Sequence, residues 1–198
     1  MSPLRFHLAK LRGAEAALGP PVPLAELAGR RVALVGNARS LAAGAGGAAI
    51  DGADLVLRIN AAPLPSSLSH GARTDWLLVS VPVEEGRLSA LAPRRLVWMT
   101  PRRRRLHWRL ARRPGFAVLP SAWAEALAAR LGARPSTGAM AVDLLARSEV
   151  AAVRLHGFDF FASLSLSGRR GARDVPHDFA AERAWVEALL ARDPRFSL

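Results

Sequence analysis

The sequence predicts an α/β fold with a mainly parallel central sheet. Three observations carry that prediction. Short apolar runs alternate with helix-patterned or Gly- and Pro-marked stretches along the 198 residues. The first run, 32–35 (VALV), is apolar at every position, as expected of a strand covered on both faces. Several runs end on Gly or Asn, at the edge where α/β folds hold their ligands; Gly36-Asn37, Arg58-Ile59-Asn60 and Gly157-Phe158-Asp159 are the candidate groups.

The elements follow in order. Residues 3–18 carry Leu4, Leu8, Leu11, Ala14 and Leu18 at helical spacing, interrupted by Gly13 and stopped by Gly19-Pro20-Pro21. Leu24 to Ala28 adds a turn. Strands are expected at 32–35, 54–60, 76–81, 96–99, 116–119 and 153–157, with a loop and short helix over 40–50. Helices are expected at 121–131, stopped by Gly132, and at 137–147. Residues 163–174 read as a polar loop. A last helix spans 177–192, with Phe179, Trp185, Val186 and Leu189 on its apolar side. The expected division is an N-terminal helical extension, 1–28, and one α/β domain, 29–198.

Composition narrows the partners. Half the residues are apolar (51%) and 22% are charged, which excludes a disordered chain. The net charge of +12 is carried almost wholly by arginine, since Lys10 is the sole lysine. That excess calls for an anionic partner: nucleotide, nucleic acid, acidic glycan or membrane face. The Ala and Arg bias is also what a GC-rich bacterial genome produces. With no Cys there is no disulfide, thiolate metal site or Cys nucleophile. No apolar run approaches 18 residues and no signal peptide is visible, so a cytoplasmic protein is expected.

Candidate chemistry concentrates at a few places. Asn37 offers donors and an acceptor at a strand end, suited to a phosphate or pyrimidine edge, and equally serves as a turn residue. Gly44 to Ala49 matches G-x-G-x-x-A but starts seven residues past Asn37, and no acid closes the second strand, so a dinucleotide site is poorly supported. Ser136-Thr137-Gly138 opens a helix, where hydroxyls cap the backbone and free amides form an anion site. His177 lies at the start of the last helix, whose dipole disfavours the charged imidazole and leaves a neutral base. His107 and His156 have less context. The run Arg102 to Arg113, interleaved with Leu106, Trp108 and Leu110, reads as a solvated basic face, a phosphate contact or a segment on anionic lipid. No D-x-D, Walker A, H-E-x-x-H or G-x-S-x-G motif occurs.

Four segments together resemble the sialyltransferases of glycosyltransferase family 29. Residues 31–63 resemble the family's large motif through Val35-Gly36-Asn37, Gly44, Gly46 or Gly47, Ile50-Asp51, Asp54, Val56, Arg58 and Asn60. Gly71-Ala72-Arg73-Thr74-Asp75 resembles its G-x-R-T stretch. Pro135-Ser136-Thr137-Gly138 through Gly157-Phe158 resembles the small motif, and His177 to Glu182 fits the very small motif H-x-x-x-x-E. The order agrees over about 31–182, identifying a bacterial member.

The resemblance implies a Rossmann-like, GT-A-like variant. It implies inverting, metal-independent transfer of sialic acid or a related sugar acid from a CMP donor to a glycan or lipid-linked saccharide hydroxyl, without a cofactor. Asn37 and Asn60 would contact CMP, and Gly36, Ser136, Thr137, Gly138, Gly157 and Phe158 would line the donor pocket. His177 would be the base. The family's third motif, with a His for the leaving phosphate, is missing; Arg169, Arg170 or Arg173 is the expected substitute. Glu182 lies five residues past His177, about 140° around a helix, and is expected to hold the helix against the domain. The Arg102–Arg113 run would meet an anionic acceptor or the inner membrane, and nucleic acid is not expected. The competing reading is a non-catalytic, arginine-rich nucleotide- or nucleic-acid-binding module.

Overall fold

The computed structural model describes residues 2–159 and 177–198. Seven strands form one sheet: β1 (Arg31–Val35), β2 (Leu55–Ile59), β3 (Trp76–Val79), β4 (Arg95–Trp98), β5 (Phe116–Val118), β6 (Ala152–His156) and β7 (Phe196–Ser197). Their spatial order is β5-β4-β3-β2-β1-β6-β7, and every neighbouring pair is parallel. The chain steps outward from β1 to β5, then returns to β1's other side for β6. That reversal between β1 and β6 opens the crevice in which open α/β sheets bind ligands.

The helices are α1 (Pro3–Leu11), α2 (Gly47–Asp51), α3 (Ser67–His70), α4 (Glu85–Leu91), α5 (Trp108–Ala111), α6 (Ser121–Leu131), α7 (Thr137–Ala146) and α8 (Phe179–Arg192). Strand alternation divides them between two faces. Val32 and Leu34 of β1, with Leu57 and Leu78, face a core completed by Leu127, Met140, Leu144, Val186 and Leu189 from α6, α7 and α8. Ala33 and Val35 turn the other way, onto Ile50 of α2. Leu77, Val79 and Trp98 share that side with Phe6, Leu88 and Leu110 from α1, α4 and α5. The segment before β1 packs on both faces, Phe6, Ala9 and Leu18 on one and Val22 and Leu27 on the other.

Three local differences from the sequence reading have physical causes. The N-terminal helix stops at Leu11, before Gly13, and Leu18 follows in a separate turn. Its buried residues are Phe6 and Ala9, while Leu4, Leu8 and Leu11, whose spacing marked the helix, are exposed. In the last helix the inward positions include Glu182 as well as Phe179, Val186 and Leu189, with Trp185 only packed at the edge. The Gly-rich stretch is a packing device: a Cβ on Gly47 would stand 1.9 Å from the carbonyl oxygen of Ser67, so α2 and α3 touch through bare backbone.

Candidate active site

The ends of β1, β2, β3 and β6 and the start of α7 converge at one edge of the sheet. At the switch point Gly36 N–H donates to the His156 carbonyl at 2.7 Å, and Ala38 N–H to the Gly157 carbonyl at 3.2 Å. A Cβ on Gly36 would lie 2.3 Å from the Gly157 oxygen, so no side chain fits where the two strand ends meet. Ser40 Oγ reaches Asp159 at 3.1 Å and ties the two following loops together. Asn37 is buried, and its Nδ2 donates to the Ile59 carbonyl at 3.2 Å, bridging the ends of β1 and β2.

Asn60 adopts a left-handed backbone conformation (φ 51°), which Asn tolerates better than most residues. Its Oδ1 accepts from Ser80 N–H at 3.0 Å and its Nδ2 donates to Thr137 Oγ1 at 3.3 Å. Thr137 Oγ1 in turn donates to Ser80 Oγ at 2.8 Å. Asn60, Ser80 and Thr137 thus form a closed polar triangle joining β2, β3 and α7. Ser80 was absent from the sequence-based candidates. It ends β3 as Asn60 ends β2, and that parallel placement is the signal that marks it.

The start of α7 is held from outside. Ser136 Oγ accepts from Ala139 N–H at 3.1 Å, the expected cap, and donates to Glu182 Oε2 at 2.7 Å. Glu182 Oε1 accepts from Ser136 N–H at 2.6 Å. Glu182 is only 3% exposed, and burial pushes its carboxyl pKa up against these two bonds. The Ser136 and Thr137 hydroxyls are therefore engaged inside the protein. What remains for an anion is the first pair of helix amides, Thr137 and Gly138, both in buried residues and without a partner inside the helix. Gly138 packs against Phe158, whose ring would stand 3.1 Å from an added Cβ.

His177 precedes α8 by two residues, and Asp178 caps that helix through Ala181 N–H at 2.9 Å. The imidazole Nδ1 lies 2.8 Å from the Arg134 carbonyl, which only accepts. That contact fixes the proton on Nδ1 and leaves the Nε2 lone pair as the basic site. The expected neutral state has a different leading cause from the one the sequence suggested. Burial lowers the pKa first; the Arg134 carbonyl raises it, and the Arg134 and Arg102 charges lower it again. Arg134 lies two residues before Ser136, so α8's N-terminal end grips one short segment at two points, through His177 and Glu182.

Other motif residues lie behind the sheet rather than at this edge. The Asp51 carboxylate accepts from Ala72 N–H at 2.8 Å and Arg73 N–H at 3.0 Å. Arg73 donates to the Asp51 and Ala53 carbonyls at 2.6 and 2.8 Å and pairs with Asp75 at 2.9 Å. Arg58, 1% exposed, donates to the Arg73 and His70 carbonyls at 2.8 and 2.7 Å and to Thr74 Oγ1 at 3.1 Å. Burial lowers its pKa to about 10. This network fastens β2 to the α3–β3 turn. Within the basic run, Leu106 and Leu110 are buried in the core, so the expected apolar contact through them does not form. Arg103 pairs with Glu15 and bonds the Thr100 carbonyl, Arg113 pairs with Glu85, and Arg112 stacks over Trp108 at 4.8 Å. Arg169, Arg170 and Arg173 lie outside the described residues.

Among the described residues no group of three or more His, Cys, Asp or Glu is placed to hold a metal ion. Nor is any described helix long and apolar enough to cross a membrane.

Comparison with known proteins agrees with this architecture. Residues 8–85 match the model of glycosyltransferase family 29 (sialyltransferase). A mammalian sialyltransferase crystal structure superposes with a TM-score of 0.68 at 19% identity, covering 99% of this chain and 80% of that one. A mammalian sialyltransferase in complex with Gal-beta-1-3GalNAc-ortho-nitrophenol gives 0.66 at 20% identity, covering 95% and 78%. The sialyltransferase CstII from Campylobacter jejuni, in complex with the substrate analogue CMP-3FNeuAc, gives 0.50 at 14% identity, covering 85% and 78%. No curated protein matches in sequence. At these identities the superpositions establish a shared fold, while the family match spans the segments that form β1, β2 and the network behind them. Over residues 8–85 the chain is similar to glycosyltransferase family 29, the sialyltransferases.

Proposed function

We propose that this protein transfers sialic acid or a related sugar acid from a CMP-activated donor to a hydroxyl of a glycan or lipid-linked saccharide. One observation carries the assignment of parts: the segment 134–138 holds the candidate base by the Arg134 carbonyl and presents the α7 amides three residues later. In this reading Asn37 and Asn60 meet the CMP, and Gly36, Gly157 and Phe158 shape the floor of the pocket. The Thr137 and Gly138 amides face the phosphate, with Ser136 and Thr137 setting their position. His177 Nε2 takes the proton of the acceptor hydroxyl. The acceptor oxygen then bonds to the anomeric carbon as the bond from that carbon to the phosphate oxygen breaks. The electron pair leaves with CMP, and configuration inverts in a single displacement. The step as drawn asks for no metal ion. The surface arginines of the 102–113 run face an anionic acceptor or an anionic membrane.

The test is transfer from CMP-sialic acid to an acceptor panel, with CMP binding measured alongside. The His177→Ala variant is expected to lose turnover by at least about 100-fold while binding CMP as the parent does. Turnover preserved in that variant removes His177 as base. No transfer or donor hydrolysis by the parent, together with no CMP binding, overturns the reading as a whole.

A further inference from the structure

We infer that α1 docks the protein on an anionic lipid bilayer, its three exposed leucines entering the interface while a basic groove beside it holds lipid headgroups. The argument begins with the two apolar sides of this helix. At 100° per residue Leu4, Leu8 and Leu11 lie within an arc of about 60°. Phe6 and Ala9 occupy the opposite side and are buried in the protein. Leu4 is 69% and Leu11 84% exposed, with Leu8 at 40%. Among the described residues the leucine stripe lies on the side of α1 away from the core, open at Leu4 and Leu11 and partly covered at Leu8.

Basic side chains flank the stripe on both sides. Arg5 and Arg12 project about 80–100° to one side, and His7 and Lys10 about 60–120° to the other. His7 and Lys10 also line a cavity of about 520 Å³ together with Arg104, His107, Trp108 and Arg109. Among the described residues no carboxylate lines it. Lys10 donates to the Arg104 and Leu106 carbonyls at 2.7 and 3.0 Å, which fixes α1 against the basic run. An exposed leucine stripe between rows of basic residues, continuous with a basic groove, matches an anionic interface in both polarity and charge. The inference builds on the proposed membrane contact of the 102–113 run. It moves the apolar anchor from Leu106 and Leu110, which are buried, to α1.

Vesicle flotation with the full chain tests it, using phosphatidylcholine vesicles with and without 30% phosphatidylglycerol. The parent is expected to float with the anionic vesicles and not the neutral ones. Leu4→Ser with Leu11→Ser should weaken that binding about tenfold or more, since two inserted side chains lose their apolar burial. Arg104→Glu with Arg109→Glu should weaken it by about fivefold for each charge removed, and by less in salt, which screens the contact already in the parent. The leucine variant should melt as the parent does and hydrolyse CMP-sialic acid at the parent's rate. A leucine variant that floats like the parent overturns the α1 assignment; if the arginine variant then loses binding, contact through the 102–113 run survives alone. Binding lost only in the leucine variant sinks the contact through that run and keeps α1. A parent that ignores anionic vesicles overturns both, and leaves the transferase reading to its own assay.

Discussion

Replacing Glu182 with alanine removes both outside acceptors from the start of α7. The side chain is 3% exposed and takes the Ser136 N–H at 2.6 Å and the Ser136 hydroxyl at 2.7 Å. Hydrogen bonds to a charged group contribute about 1.5–3 kcal/mol each. Burial of the carboxylate, visible as its raised pKa, offsets part of that sum. A net loss of about 3 kcal/mol follows, which for a chain of this size lowers Tm by about 6–12 °C. Glutamine keeps an acceptor for the Ser136 N–H and should cost only about 1 kcal/mol, or roughly 2–4 °C. The α7 amides shift with Ser136, so CMP affinity should fall in alanine more than in glutamine. Thermal unfolding followed by CMP titration reads both quantities. An alanine variant within 2 °C of the parent, or one that binds CMP as tightly, refutes the argument that Glu182 positions the pocket.

Other substitutions and conditions give independent checks. Gly36→Ala should cost about 2–3 kcal/mol in urea unfolding, because its Cβ would press on the Gly157 carbonyl; a neutral result means the β1 and β6 ends part easily. Thr137→Val keeps shape but breaks the triangle with Asn60 and Ser80; a loss of about 1–2 kcal/mol and a several-fold weaker CMP affinity are expected, and unchanged affinity removes the triangle from the pocket. Asp51→Ala should cost about 2 kcal/mol in stability, with turnover per folded molecule unchanged; a selective loss of turnover contradicts its structural role. His70, His156 and His177 all have pKa values lowered from 6.5, chiefly by burial. The unfolded chain then binds protons that the native chain refuses, so stability is full above about pH 6.5 and falls below it. The slope is at most about 1.4 kcal/mol per pH unit for each histidine. Equal urea midpoints at pH 7.5 and 5.5 contradict that sign.

Much of the sheet was legible because a strand buried on both faces must be apolar at successive positions, as Val32 to Val35 are. The short helices α3 and α4 were not. Four to seven residues hold too few turns for a helical period to stand out, and their ends are set by packing. β7 has two residues and exists only through its pairing with Val153 and Arg154. On α1, spacing identified a helix but not its buried face, since Phe6 and Ala9 are buried on a side with fewer apolar residues. At the site, strand ends located Asn37, Asn60 and the Gly157 turn directly. What a one-dimensional pattern could not show is which hydroxyls the protein already uses. Ser136 and Thr137 read as ligand groups until Glu182, Asn60 and Ser80 arrive from distant parts of the chain to occupy them. His177 was expected to be neutral at a helix end; the chief cause turned out to be enclosure, which no local sequence window reports.

The place of β1 in the sheet has a consequence for how the protein is made. β1 is complete at Val35, but its pairing with β6 needs residues 152–156. More than a hundred residues separate them, so at about 5–20 residues per second a ribosome leaves that apolar strand edge open for on the order of ten seconds. During that interval the nascent chain displays an unsatisfied parallel edge made of Val, Ala and Leu, suited to pairing with the wrong partner. A chain truncated anywhere before residue 152 keeps that edge permanently, and it should be recovered in aggregates or bound to chaperones rather than as a smaller folded unit.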